Sequence, residues 1–228
     1  MLRGRARHRS MPTDPAESND AGGRPAATGA GDPRERLCEA ALEVAGEVGY
    51  AALSVQVILD RSGIDRSTFD ALFAGKEDCF TAAYWEASAE LEQLLLAPCR
   101  EAPDWLTGLA ASLEALARLL AARPAWARGV LAEVQVAGGA TGARRQEVFE
   151  RLSRAIDRAR REIPRSRHSP PPTTAPFILA AIESAALRSL RGSGPDFAVA
   201  MPDLIHLAAI PYLGAEAAEE AARRARRR

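Results

Sequence analysis

This 228-residue chain is short of aromatics, which make up 5% of it, and of lysine, of which Lys76 is the only example. No stretch sustains the alternating polarity of a β-strand, so the expected fold class is all-α. No run approaches the roughly 18 uninterrupted apolar residues of a membrane helix, and the expectation is a soluble, cytoplasmic protein with no membrane partner. Cys38, Cys79 and Cys99 are an odd number at wide spacing, without a CxxC pair or a nearby His. That excludes a disulfide framework and the usual zinc spacings, and leaves three small, partly buried apolar residues. Three histidines, with no nucleophile elbow and no phosphate loop, give catalysis nothing to organise around. The sequence therefore predicts no catalytic residue, no metal and no cofactor.

What is present is apolar and charged in ordinary proportion, 47% and 26%. Thirty bases cancel thirty acids, so net charge neither favours nor excludes nucleic acid, and only its distribution informs. All the bases but Lys76 are arginine, a compositional skew that lowers the weight of any single one.

Residues 1–31, rich in Gly, Pro, Ala and Arg without apolar periodicity, read as a disordered tail. Its arginines (Arg3, Arg5, Arg7, Arg9) can serve as a flexible basic arm. Order should begin at "DPRE", where Asp32 caps, Pro33 suits the first helical position and Glu35 completes a capping-box pattern. Leu37, Ala41, Val44 and Val48 share one face of a helix over 33–48, stopped by Gly49.

Ser54 caps a second helix whose Val55, Ile58 and Leu59 share a face, and Gly63 ends it. Asp65 caps a third, with Phe69, Leu72 and Phe73 inward. Two short helices about a tight Gly turn are the helix-turn-helix signature. A long helix from Lys76 should reach about Leu96, broken by Pro98. Further helices are expected over roughly 104–122, 125–137, 141–162, 175–191, 197–210 and 215–226, with a flexible loop at about 164–175. The domain division is a tail to 31, a helix-turn-helix domain over 32–80 and a larger helical domain over 81–228.

"ALEVAGEVGYAALSVQVILDRSGIDRSTFDALFAGKEDCFTAAY", Ala41 to Tyr84, resembles the DNA-binding module of the TetR family of transcriptional regulators. The linked features are a helix ending in Gly-Tyr, a capped second helix, the "SG-I-DRSTF" turn and recognition helix, an "LF", and "KEDCF". The remainder resembles that family's variable regulatory domain more loosely. The resemblance implies a homodimer, a small-molecule effector bound among the later helices, and repression of a double-stranded, pseudo-palindromic operator that the effector relieves.

In a helix-turn-helix the second helix enters the major groove by its N-terminal residues. Arg66, Ser67 and Thr68 then become candidate base contacts, and Ser54 and Lys76 candidate phosphate contacts, Lys76 by resemblance. Capping alone explains Ser54, Asp65 and Thr68 equally well. Asp70 departs from the family, which usually has an aromatic there, most often Tyr. A carboxylate repels phosphate unless it turns away or meets an arginine. From Arg34 to Phe80 five bases face nine acids, a net of −4, so the same fold with weakened or lost DNA binding, acting as a ligand- or protein-binding module, is the second reading.

In the later helices Trp85, Trp105 and Trp126 are candidates to line a pocket for an apolar or aromatic effector. The apolar breadth of the helices around Phe177, Ile178, Ile182, Leu204 and Leu207 is compatible with burial on two sides, and the resemblance makes them a four-helix dimer interface. The arginine run Arg144 to Arg167 has acids interleaved at pairing distance and reads as a solvated helix face. His206 reads as a packed or interface residue.

Overall fold

A computed structural model describes residues 31–163 and 169–227. The tail, its arginine arm and the first part of the predicted loop lie outside the described residues. Within them every regular element is helical, as the missing strand alternation implies.

The first helix, α1 (Pro33–Val48), starts where the sequence places it. Asp32 accepts from the Arg34 N–H, Pro33 opens the helix, and the Gly49 N–H closes it onto the Ala45 carbonyl. Leu37, Ala41 and Val44 are fully buried, but Val48 is 56% exposed. The helix ends there, so Val48 no longer shares the stripe's direction with a facing element. After a 3₁₀ turn at Tyr50–Ala52 come α2 (Val55–Ser62) and α3 (Arg66–Leu72). Phe69 and Phe73 point inward with ring centroids 5.6 Å apart, whereas Leu72 is 39% exposed. Burial of Leu37, Ile58, Phe69 and Phe80 in one core holds the short helices, which are too brief to stand alone. Each such side chain contributes on the order of 2 kcal/mol.

The fourth helix, α4 (Lys76–Glu101), runs through Pro98 instead of stopping before it. Proline removes one ladder hydrogen bond. One residue past the Leu94 carbonyl, which Pro98 leaves without its helical donor, the Ser112 hydroxyl of α5 (Trp105–Ala122) donates to the Leu95 carbonyl at 2.7 Å. The expected domain boundary at 80/81 falls inside α4, so one continuous helix joins the two parts. By length and mean hydropathy, 1.3, α5 is the one described helix able to cross a membrane. Here its Leu109, Leu113, Leu116 and Leu120 are buried in the core.

The next helical segment consists of α6 (Pro124–Arg128), a π-helical turn (Gly129–Glu133) and α7 (Val134–Ala137). It crosses α1 with backbone on backbone. A Cβ added at Gly46 would lie 1.8 Å from the Ala125 carbonyl oxygen, and one at Gly129 2.3 Å from that of Leu42. Arg128 ties the crossing by donating from Nε to the Gly46 carbonyl at 2.9 Å, and Glu133 accepts the Tyr50 N–H at 2.8 Å.

Then follow α8 (Gly139–Asp157), which tightens into 3₁₀ over Arg158–Glu162, α9 (Thr174–Leu190), α10 (Phe197–Leu213) and α11 (Ala215–Arg226). α10 continues past Pro202 and Pro211, beyond its expected end at 210. Its Phe197, Ile205, Ala208, Ala209 and Tyr212 are buried, and that packing outweighs the lost backbone bonds.

Candidate nucleic-acid interface and effector cavity

The helix-turn-helix geometry is produced by its caps. The Ser54 hydroxyl accepts the Val57 N–H at 3.4 Å. Gly63 takes the left-handed conformation, φ 66°, that ends α2 and swings the chain into α3. Asp65 accepts the Thr68 N–H at 3.0 Å and the Thr68 hydroxyl at 2.8 Å, and it also accepts the Ser67 hydroxyl. These donors, the Ser67 hydroxyl foremost, hold the Asp65 carboxyl well below the usual carboxylate range. The hydroxyls of Ser67 and Thr68, both candidate base contacts, are thus turned back onto the cap.

Asp70 meets an arginine. The Nε of Arg66 donates to both of its carboxylate oxygens, at 2.8 and 2.9 Å, one turn along the exposed face of α3. Lys76 folds back instead of projecting outward. Its Nζ donates to the Leu53 carbonyl at 2.9 Å and lies 5.2 Å from the centre of the Tyr50 ring. The remaining bases of this module are engaged too. Arg34 pairs with Glu86, Arg36 donates to the Ser62 carbonyl, and Arg61 spans Glu43 and Glu47. Each of the five bases counted in the sequence therefore has a partner in its own chain.

Among the later helices a cavity of about 80 Å³ opens between α4, α5, the π turn, α8 and α9. Tyr84, Ser88, Leu91 and Leu95 come from α4, Val130 and Leu131 from the π turn, and Leu152, Leu179 and Ile182 from α8 and α9. Its one ion pair is Arg145 with Glu183, at 2.6 Å. Burial pushes the Tyr84 phenol up to about 12, so it stays protonated and able to donate. An adjoining cavity of about 50 Å³ shares Leu95, Leu116, Leu152, Leu179 and Ile182, with Trp105 in its wall.

The three tryptophans do not line one pocket. Trp105 packs on Tyr212, ring centroids 5.5 Å apart, while Trp85, 45% exposed, lies under the Arg144 guanidinium and Trp126 under that of Arg123. Helical periodicity shows that a residue faces something; which helix it faces is a tertiary outcome. The aliphatic lining carries no sequence mark to separate it from ordinary core.

The arginine run is only partly a solvated face. Arg144 is buried, donating to Ser88 at 2.9 Å and pairing with Glu92, which Arg151 also holds at 3.0 Å. Arg154 stays exposed.

The residues read as a dimer face divide. Phe177, 73% exposed, and Leu207 project outward, but Ile178, Ile182 and Leu204 are turned into their own core. Val199, 70% exposed, and Ile210 join the outward set and were not singled out from sequence. His206 sits on the same helix, its Nδ1 3.8 Å from Glu219.

Residues 37–83 match the family described as bacterial regulatory proteins, tetR family. No curated protein matches the chain in sequence. Solved structures share its fold. The transcriptional regulator FadR from Bacillus subtilis, in complex with stearoyl-CoA, is 17% identical over 78% of this chain and 97% of its own, with a TM-score of 0.65. RolR in complex with resorcinol is 19% identical over 84% and 93%, TM-score 0.57. The regulator tylp from Streptomyces fradiae is 22% identical over 85% and 97%, TM-score 0.58. The helix-turn-helix module, residues 37–83, thus matches the tetR family of bacterial regulatory proteins, and the chain as a whole shares the all-helical fold of FadR, RolR and tylp.

Proposed function

We propose that the protein is a cytoplasmic, homodimeric transcriptional repressor. It binds a pseudo-palindromic operator in double-stranded DNA and releases it when an apolar or aromatic small molecule enters the cavity. The observation that carries this reading is the course of α4. Its first residue, Lys76, is bonded to the Leu53 carbonyl beside α2, and its Tyr84, Ser88, Leu91 and Leu95 wall the cavity. The cavity is smaller than the ~150 Å³ that accepts a benzene, so an effector has to push its walls apart. A displaced α4 carries the helix-turn-helix with it. The π turn offers a second route, because Val130 and Leu131 face the cavity while Gly129 lies on α1. Stearoyl-CoA on FadR and resorcinol on RolR support an effector with a large apolar or aromatic part. The outward Phe177, Val199, Leu207 and Ile210 favour a second copy against α9 and α10.

The test is a selection from a random duplex pool at low salt, followed by titration of the selected duplex with apolar and aromatic compounds. Enrichment of a pseudo-palindrome, its release by a compound that also raises Tm, and a dimer mass in sedimentation are the expected results. A second reading, a ligand-binding module that has lost DNA reading, draws on the five self-paired bases of the module. Failure of the pool to enrich any sequence would select it.

A further inference from the structure

We infer that Asp70 is a positioning residue, which holds the Arg66 guanidinium so that its free end reads a guanine. The inference rests on the DNA-binding reading above and goes beyond it, by assigning a base to a residue pair and a reason to the acid. Asp70 approaches Arg66 only through Nε, at 2.8 and 2.9 Å. The two terminal nitrogens make no hydrogen bond to the described residues. They are the end of the guanidinium that matches the O6 and N7 acceptors of guanine in the major groove. Adenine presents an amine donor in place of O6, so the same fork meets a donor there and is rejected.

The surroundings support this use. Arg66 opens α3, the helix that enters the groove in this motif, and its side chain projects into solvent. Ser67 and Thr68 spend their hydroxyl protons on Asp65, which leaves Arg66 as the side chain of that first turn with donors to offer. An unrestrained arginine samples many rotamers and is drawn to the nearest phosphate, a contact without sequence information. Pinned at Nε, it has less freedom to lose on docking. Paired with a carboxylate, it also carries no net charge for a phosphate to attract. The pair itself is too exposed to matter much for folding, since both side chains are more than half accessible. Asp70 then trades backbone affinity for base selectivity.

The experiment uses the purified full chain. A random-pool selection identifies the site. Anisotropy titrations then compare the selected duplex with one in which the candidate G·C pair is changed to A·T, for the unaltered protein, Arg66→Ala, Asp70→Ala and Asp70→Asn. The unaltered protein should prefer guanine on the order of tenfold or more. Arg66→Ala should abolish that preference. Both Asp70 variants should cut it to about threefold or less, while Tm is unchanged and binding to an unrelated duplex is equal or tighter. Asp70 variants that keep the full preference, or that lose affinity equally at every position with a lowered Tm, would overturn the inference alone. A pool in which the unaltered protein enriches nothing would overturn both it and the DNA-binding reading.

Discussion

Arg66 and Asp70 lie one turn apart on α3 and form an ion pair in which a single nitrogen, Nε, serves both carboxylate oxygens. The acid that departs from the family pattern thus has a partner. Asp70→Tyr removes a negative charge and adds a hydroxyl donor, so it should tighten binding to unrelated duplex DNA. It should also lower the ratio of selected-site to unrelated-site affinity. Anisotropy on both duplexes at several salt concentrations measures the two effects separately.

Lys76 is expected to have a structural share that an ordinary surface lysine lacks, through the Leu53 carbonyl and the Tyr50 ring. Lys76→Ala should cost about 1 kcal/mol, which for a chain of this size is a Tm lower by roughly 2–4 °C. If Lys76 also meets phosphate in the complex, the slope of log affinity against log salt should fall by about one unit. Calorimetry together with a salt series separates the two roles.

The crossing of α1 over the α6 segment depends on two glycines. Replacing a helical glycine by alanine ordinarily gains up to about 1 kcal/mol. At Gly46 the added methyl would sit 1.8 Å from a backbone oxygen, which cannot rotate away as a side chain can. Gly46→Ala and Gly129→Ala should each destabilise by roughly 1–3 kcal/mol, the usual range for overpacking. Gly142 in α8 has nothing within 4 Å of an added Cβ, and Gly142→Ala should raise Tm slightly. Thermal unfolding of the three variants in parallel tests the contrast.

Leu152 lines both cavities between α8 and its neighbours. Leu152→Phe should fill that space, weakening effector binding and release of the operator while operator affinity without effector stays the same. A titration of the DNA complex with an identified effector measures this, and a loss of basal operator affinity instead would mean that the cavity wall is coupled to α4 without a ligand.

Asp65 gives a pH dependence with a definite sign. Its folded pKa is depressed by the hydroxyl and N–H donors around it. The cap's contribution is therefore fully present above the ordinary carboxylate value of about 3.9 and is lost as pH falls from there through the depressed value. The stability difference between the unaltered protein and Asp65→Ala should be constant from pH 7 to about 5. It should then shrink on further acidification, measured by denaturant midpoints across that range.

Helix starts and stops were legible because they are local chemistry. Asp32, Ser54 and Asp65 each cap the helix that follows them in sequence. Gly49 and Gly63 stop α1 and α2 through contacts within a few residues. The continuation of α4 through Pro98 was not legible, because α5, whose Ser112 donates to the Leu95 carbonyl beside it, packs there from another part of the chain. Arg144 looked like one more surface arginine until Ser88 and Glu92, far away in sequence, closed over it.

Sequence by itself determined the all-helical class, the capped helix-turn-helix and its acidic charge balance, since each depends on residues near one another in the chain. Tertiary structure alone decided which faces meet: aliphatic side chains from four helices and the π turn, not the tryptophans, enclose the cavity. It also decided that Gly46 and Gly129 bring two backbones into contact, and that the guanidinium of Arg66 is held by Asp70 with its far end free. Periodicity specifies the side of a helix that is buried, but its partner follows from packing all the helices at once.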